Sequence, residues 1–96
     1  MVKLINVRRS TRPTKKLMAT FLKDNGRERT IHFGQKGSNT FSEGATEGKK
    51  DAYLIRHKKN EDWNNPLSAG ALSRWVLWDV RGIKNGVAAF KKRFNL

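Results

Sequence analysis

The sequence predicts a small α+β domain: an N-terminal β-hairpin or three-stranded antiparallel sheet packed on two or three helices. Three observations predict it. Two runs of apolar alternation, Lys15 to Lys23 and Arg27 to Phe33, flank Asp24-Asn25-Gly26, a short-turn signal that reads as a hairpin. The second half changes to helical spacing, with Ile83, Val87, Phe90 and Phe94 recurring at intervals of three and four residues. A chain of 96 residues has room for one core and not for two.

Residues 1–13 mix short apolar pieces with Arg8, Arg9, Arg12 and Pro13, and read as either an edge strand or a basic arm ahead of a single domain spanning 14–96. The hairpin has two registers. If Asp24-Asn25-Gly26 is the whole loop, Leu17 sits opposite Phe33, Ala19 opposite Ile31 and Phe21 opposite Arg29. If only Asn25-Gly26 turns, Met18 meets Phe33 and the other face of the first strand packs inward. The first register is preferred. Gly34 to Gly48 is rich in Gly, Ser, Thr and Asn, and reads as a long loop pinned by Phe41. Glu47 to Asn60 has helix-forming composition, with Ala52 and Ile55 expected on the core side and Tyr53 as a further candidate. Glu47 near its start and lysines near its end suit the helix dipole. Asn64-Asn65-Pro66 breaks the chain, and Ser68 is placed to cap a second helix from Ala69 to about Asp79. That segment is apolar nearly all round and is expected to be the central, buried helix. Gly82 precedes a third helix, whose first turn Asn85-Gly86 weakens.

Charge narrows the function. Twenty-one Lys and Arg against 8 Asp and Glu give a net +13. The bases run through the whole chain, from Lys3 to Arg93, so this is no basic tail on a neutral domain. Such a surface repels itself unless a polyanion or an acidic partner neutralises it, and neutralising phosphates gains affinity by releasing condensed counterions. Nucleic acid, with duplex DNA first, is the expected partner. The absence of cysteine removes disulfides, thiol nucleophiles and zinc fingers. No run approaches the roughly 18 apolar residues of a membrane span, and the N-terminal apolar run is too short and too broken for a secretion signal.

Gly34-Gln35-Lys36-Gly37 has the spacing of a backbone-clamping G-x-x-G loop, but it follows a strand and reads as a tight turn. Gly44 to Lys49 lacks the spacing and the hydroxyl of a phosphate-binding P-loop. His57 and Glu61 stand at i, i+4; with His32 the only other histidine they do not make a metal site, and they are expected to orient each other or bond the buried segment. No nucleophile has a base beside it, so the expectation is a protein that is not an enzyme, with no catalytic residues, no metal and no cofactor. Trp63, Trp75 and Trp78 read as packing residues rather than as a base-stacking platform. Arg74, amid Leu72, Trp75, Val76 and Trp78, must be paired or reach solvent. Its expected partner is Glu61 or Asp62, the alternative being an exposed edge laid against phosphates. The expected footprint is therefore Lys49, Lys50, Arg56, Lys58 and Lys59 on the first helix, Arg27, Arg29 and Lys36 from the hairpin, and Arg74 on that alternative.

Four blocks carry a resemblance: Ile31-His32-Phe33-Gly34 with Lys36-Gly37; Tyr53 to Trp63; Ser68 to Trp78; and Lys91-Lys92-Arg93-Phe94. Their order resembles a family of short, basic proteins of undetermined function encoded by large nucleocytoplasmic DNA viruses of algae and amoebae, over roughly residues 14–96. The opening dozen residues fall outside it, and Ser38 to Gly48 is richer in small residues than the family pattern. The resemblance implies a viral protein in the virion or the infected host cell (nucleus or cytoplasmic viral factory) that is not secreted. It supplies no active site. The expected function is sequence-tolerant duplex-DNA binding in genome compaction or packaging. The alternative is a minor capsid or cementing protein whose basic surface binds an acidic virion protein.

Overall fold

The computed structural model describes residues 2–96. Strands β1 (Lys3–Arg9), β2 (Lys15–Leu22) and β3 (Glu28–Gln35) form one antiparallel sheet in the order β1-β2-β3. The opening segment thus enters the sheet as its edge strand. It is joined to β2 by a turn in which Ser10 N–H donates to Lys16 O at 3.1 Å and Lys15 N–H to Arg12 O at 3.3 Å. The β2–β3 hairpin adopts the three-residue loop, with Leu17 opposite Phe33, Ala19 opposite Ile31 and Phe21 opposite Arg29. Gly26 supplies the left-handed residue at φ 81°, which a side chain would resist. In β1 the register shifts between Leu4 and Asn6. This bulge inserts one residue, so Leu4 and Val7 both reach the core although an odd number of positions separates them. Ile5 is left outside, 46% exposed.

The loop after β3 contains a short 3-10 turn at Phe41–Glu43, and Phe41 pins it as expected. Arg81 explains how: its Nη1 donates to the Phe41 and Ala45 carbonyls, and its guanidinium lies 3.7 Å from the Phe41 ring centroid. Helix α1 (Glu47–Lys58) starts at Thr46, whose hydroxyl accepts from Lys49 N–H at 3.2 Å. Its buried side corrects the sequence expectation. Tyr53 is 5% exposed while Ile55 is 70% exposed, and Ala52 faces out as well. With a sparse and irregular apolar pattern, α1 had no stripe to fix its rotation. The aromatic with the largest area to bury turned inward instead.

Helix α2 (Ala69–Leu72) is capped by Ser68, whose Oγ accepts from Ala71 N–H at 3.1 Å. It runs on into a π turn, Ser73–Leu77, closed by Trp78 N–H donating to Ser73 O at 3.1 Å. Helical structure therefore ends at Leu77, short of the Asp79 expected from sequence. The wider turn rotates the last residues so that neighbours Val76 and Leu77 are both fully buried, as are Ala71 and Leu72. Helix α3 (Ile83–Phe94) ends on Asn95 in the left-handed region at φ 56°. Phe90 packs edge-on to Phe21 of β2, centroids 6.5 Å apart. Phe21, Phe33, Leu72, Val76, Leu77 and Phe90 have essentially no exposed surface and form the centre of the core.

Candidate nucleic-acid interface

The cations divide into those the fold uses and those it leaves in water. Lys16 donates to Ser38 O at 2.8 Å and pairs with Glu43 at 2.9 Å. Lys50, one of the expected footprint residues, instead turns inward: Nζ donates to Asp79 O at 2.9 Å and sits 4.5 Å from the Phe41 centroid. Arg74 is likewise internal. Its side chain is 13% exposed, its Nη1 donates to Trp78 O at 3.0 Å, and its carboxylate neighbour is Asp79 at 3.8 Å rather than Glu61 or Asp62. The guanidinium also lies 4.1 Å from the Trp75 centroid. Burial lowers the pKa of Arg74 while Asp79 opposes that shift. The guanidinium remains charged and is committed to the α2–α3 connection, which removes it from the phosphate edge considered above.

Glu61 is absent from that pairing because both its oxygens are taken. His57 Nδ1–H donates to Oε2 and Trp63 Nε1–H to Oε1, each at 2.9 Å. The i, i+4 pair thus orients itself as expected. Trp75 Nε1–H donates to Trp63 O at 2.8 Å, and Arg93 covers its ring at 3.5 Å. Trp78 is 9% exposed and stacked on Tyr53. No tryptophan is an open stacking platform. Gly34 serves packing: at φ 77°, an added Cβ would stand 2.8 Å from Leu77 Cδ1 and 3.1 Å from Lys16 Cβ. The turn that follows is closed by Ser38 N–H donating to Gln35 O at 3.2 Å.

The remaining expected residues, Arg27, Arg29, Lys36, Lys49, Arg56, Lys58 and Lys59, are all exposed. On α1, Lys49, Arg56 and Lys59 fall at i, i+7 and i+10, one side of the helix, a row about 15 Å long at 1.5 Å per residue. Arg27 and Arg29 stand at the far tip of the hairpin, away from that row. Lys36 joins a different group. Its N–H donates to Thr14 O at 3.1 Å, and it lines one groove with Arg9 and Lys15, at the end of the sheet where β1 finishes, β2 starts and β3 finishes. Arg9 and Lys15 were not in the expected footprint. Only the antiparallel topology brings these sequence-distant positions together, although a hairpin with a paired edge strand already implied it. Lys84, Lys91 and Lys92 on α3 are exposed too and were passed over. Their spacing opposite Ile83, Val87, Phe90 and Phe94 was the available signal.

His32 shows the local field: desolvation and the nearby Arg12 and Lys15 lower its pKa, and its Nδ1 is bonded to Ser10 Oγ at 2.7 Å. Glu43 is the counterpart. Partial burial pushes its pKa up, but hydrogen bonds from Thr40 and Lys16 outweigh that and hold it below the ordinary glutamate value. A carboxyl depressed in the folded state contributes stability above its unfolded pKa and loses it as pH falls through the folded one. Denaturant unfolding at pH 6 and at pH 3 should therefore show a smaller difference in Glu43→Gln than in the unsubstituted chain. An equal difference would mean that Glu43 is not an acid-sensitive contact.

Among the described residues no group of three or more His, Cys, Asp or Glu is placed to hold a metal ion, and no helix is long and apolar enough to cross a membrane. A family described as of unknown function (DUF5754) matches residues 5–57. That match takes in most of β1, which the resemblance above leaves out, and ends at His57. An uncharacterized protein of Acanthamoeba polyphaga mimivirus is 32% identical over 80 residues, covering 77% of this chain and 80% of its own length. No solved structure matches the chain.

Proposed function

We propose, for a chain that belongs to the DUF5754 family of unknown function and has a viral relative, that it binds double-stranded DNA through phosphates with little regard to sequence. The role is genome compaction or packaging in a large DNA virus, without enzymatic activity. The observation that carries this reading is the partition of the cations. Lys50, Arg74 and Arg81 are spent on internal carbonyls, yet Lys49, Arg56 and Lys59 stand in one exposed row without a carboxylate partner among the described residues. Fixed cations of this kind displace condensed counterions from a duplex, and each phosphate so neutralised adds about 0.9 to the salt slope.

The test is affinity for a random duplex, and for single strands of DNA and RNA, between about 50 and 200 mM salt, where phosphate-driven binding falls steeply. Micromolar or tighter duplex binding with a steep slope is expected. The triple variant Lys49→Gln, Arg56→Gln, Lys59→Gln should flatten the slope by about 3, whereas Lys50→Gln should lower stability and leave the slope alone. No binding at the low-salt end would overturn the proposal. The charge would then be assigned to an acidic virion protein, a reading that Ile55 favours, since it stands 70% exposed among the α1 cations.

A further inference from the structure

Between the end of β3, α1 and the start of α2 lies a cavity of about 280 Å³, near the lower end of the size range of small-ligand sites. Its lining includes Lys15, Tyr53, Arg56, His57, Glu61 and Ser73. Those side chains come from β2, α1, the loop after α1 and the π turn, and their hydrogen-bonding capacities do not balance. Glu61, the carboxylate among them, already has both oxygens engaged, by His57 and by Trp63. Because a carboxylate can only accept, His57 carries its proton on Nδ1, and Nε2, an acceptor when unprotonated and open to the P–OH of a phosphate monoanion, is left without a protein partner among the described residues. The ring cannot swing to find one: it stacks on Tyr53 at 4.3 Å, which stacks on Trp78 at 4.5 Å. The Tyr53 hydroxyl is buried near Ser73 yet completes no hydrogen bond. The Lys15 ammonium and the Arg56 guanidinium bond to no protein group among the described residues, in contrast to Lys16, Lys50, Arg74 and Arg81. A site with fixed rings, two uncommitted cations and a buried unfilled hydroxyl suits a ligand that is anionic and rich in acceptors.

We propose that this cavity binds a phosphate monoester group, held by Lys15 and Arg56 and seated against the His57–Tyr53 stack. The group has two sources with the same chemistry, a small free phosphate compound or the phosphorylated end of a nucleic-acid strand. The site shares Arg56 with the proposed duplex footprint, whereas Lys15, His57 and Tyr53 lie outside it.

The full chain is titrated with inorganic phosphate against chloride of equal ionic strength, with the ring signals of its two histidines followed by NMR. His57 signals should shift saturably and by more than those of His32, whose ring is bonded to Ser10 and feels Lys15 only through its charge. Lys15→Met and Arg56→Met should each weaken phosphate at least about tenfold, as expected for a lost charge-assisted hydrogen bond. Neither side chain has an internal partner, so both variants should unfold at the parent temperature; Lys3→Met, a remote exposed cation, should bind phosphate as the parent does. In a second arm, a short single strand carrying a 5′-phosphate is compared with its 5′-hydroxyl form. A preference of about tenfold or more that disappears in Lys15→Met identifies the strand end as the source. Equal strand affinities with saturable inorganic phosphate identify a small phosphate compound. Parallel, non-saturating shifts of both histidines, or phosphate affinity unchanged in Lys15→Met and Arg56→Met, overturn the proposal. Because Arg56 also belongs to the exposed α1 row, the Lys15→Met arm is the one that separates this site from the duplex salt slope.

Discussion

Gly86→Ala is expected to lower stability by about 3 kcal/mol, the upper range for overpacking, and the melting temperature by roughly 12–24 °C for a domain of this size. Helix propensity alone predicts the opposite sign, since Ala in place of Gly inside a helix gains up to about 1 kcal/mol. Sterics decide. A Cβ on Gly86 would lie 2.1 Å from Val76 O, 2.9 Å from Val76 C and 3.1 Å from Val76 Cα. All three are backbone atoms of the π turn, so no side chain can rotate away and α3 must lift from α2. Gly48→Ala is the matched control. At that position in α1 the nearest atom is Thr46 Oγ1 at 3.9 Å, and the propensity term should act unopposed to raise stability by up to about 1 kcal/mol. Thermal and denaturant unfolding of the two variants measure both signs. Stabilisation in both would mean that α3 does not approach the π turn this closely.

Trp78→Ala is the second large effect, about 3–5 kcal/mol from a buried aromatic truncated to alanine. Against a typical total of about 5–15 kcal/mol for a domain, that leaves the fold near its threshold. Its character should be uneven. Tyr53 is the buried residue of α1, and its ring lies nearly parallel to Trp78, at 6° and 4.5 Å. Removing Trp78 should therefore expose α1 amides to hydrogen exchange before those of β2. Trp78→Phe keeps a ring for Tyr53 to stack on and should recover much of the loss. Uniform exchange across α1 and β2 in Trp78→Ala would show that α1 is held by contacts other than this stack.

Particular residues show why some of this was legible in the chain and some was not. The Asp24-Asn25-Gly26 loop and the alternation on either side of it are local; they give the hairpin and narrow it to two registers, of which the preferred one, Leu17 opposite Phe33, is adopted. The recurrence of Ile83, Val87, Phe90 and Phe94 after Gly82 announces α3, which runs over Ile83–Phe94. Ser68 announced its own cap. By contrast, Ile55 and Ala52, apolar residues in a cation-rich helix, point to the core by composition yet face out. The rotation of α1 was set by Trp78, a residue 25 positions beyond Tyr53 in the chain.

The candidate site divides in the same way. Exposure of Arg27, Arg29, Lys36, Lys49, Arg56, Lys58 and Lys59 follows from composition, because charged groups stay in water unless something pairs with them. Which cations find an internal partner does not. Lys50 reaches the Asp79 carbonyl and Arg74 the Trp78 carbonyl because the α2–α3 connection presents those oxygens where the helices meet. The grouping of Arg9, Lys15 and Lys36 likewise needs the strands paired.

By itself, then, the sequence determined the α+β class, the hairpin, the α3 helix and the +13 surface, because each depends on neighbours in the chain or on composition alone, while it left two hairpin registers of which the fold adopts the preferred one. The tertiary structure decided the inward face of α1, the π turn that buries Val76 beside Leu77, and the partners of Lys50 and Arg74. It also brought Lys15, Arg56 and His57 to one cavity. Those depend on which atoms meet across the core, where close packing and the need to satisfy every buried polar group select one arrangement among many that local preferences leave equivalent.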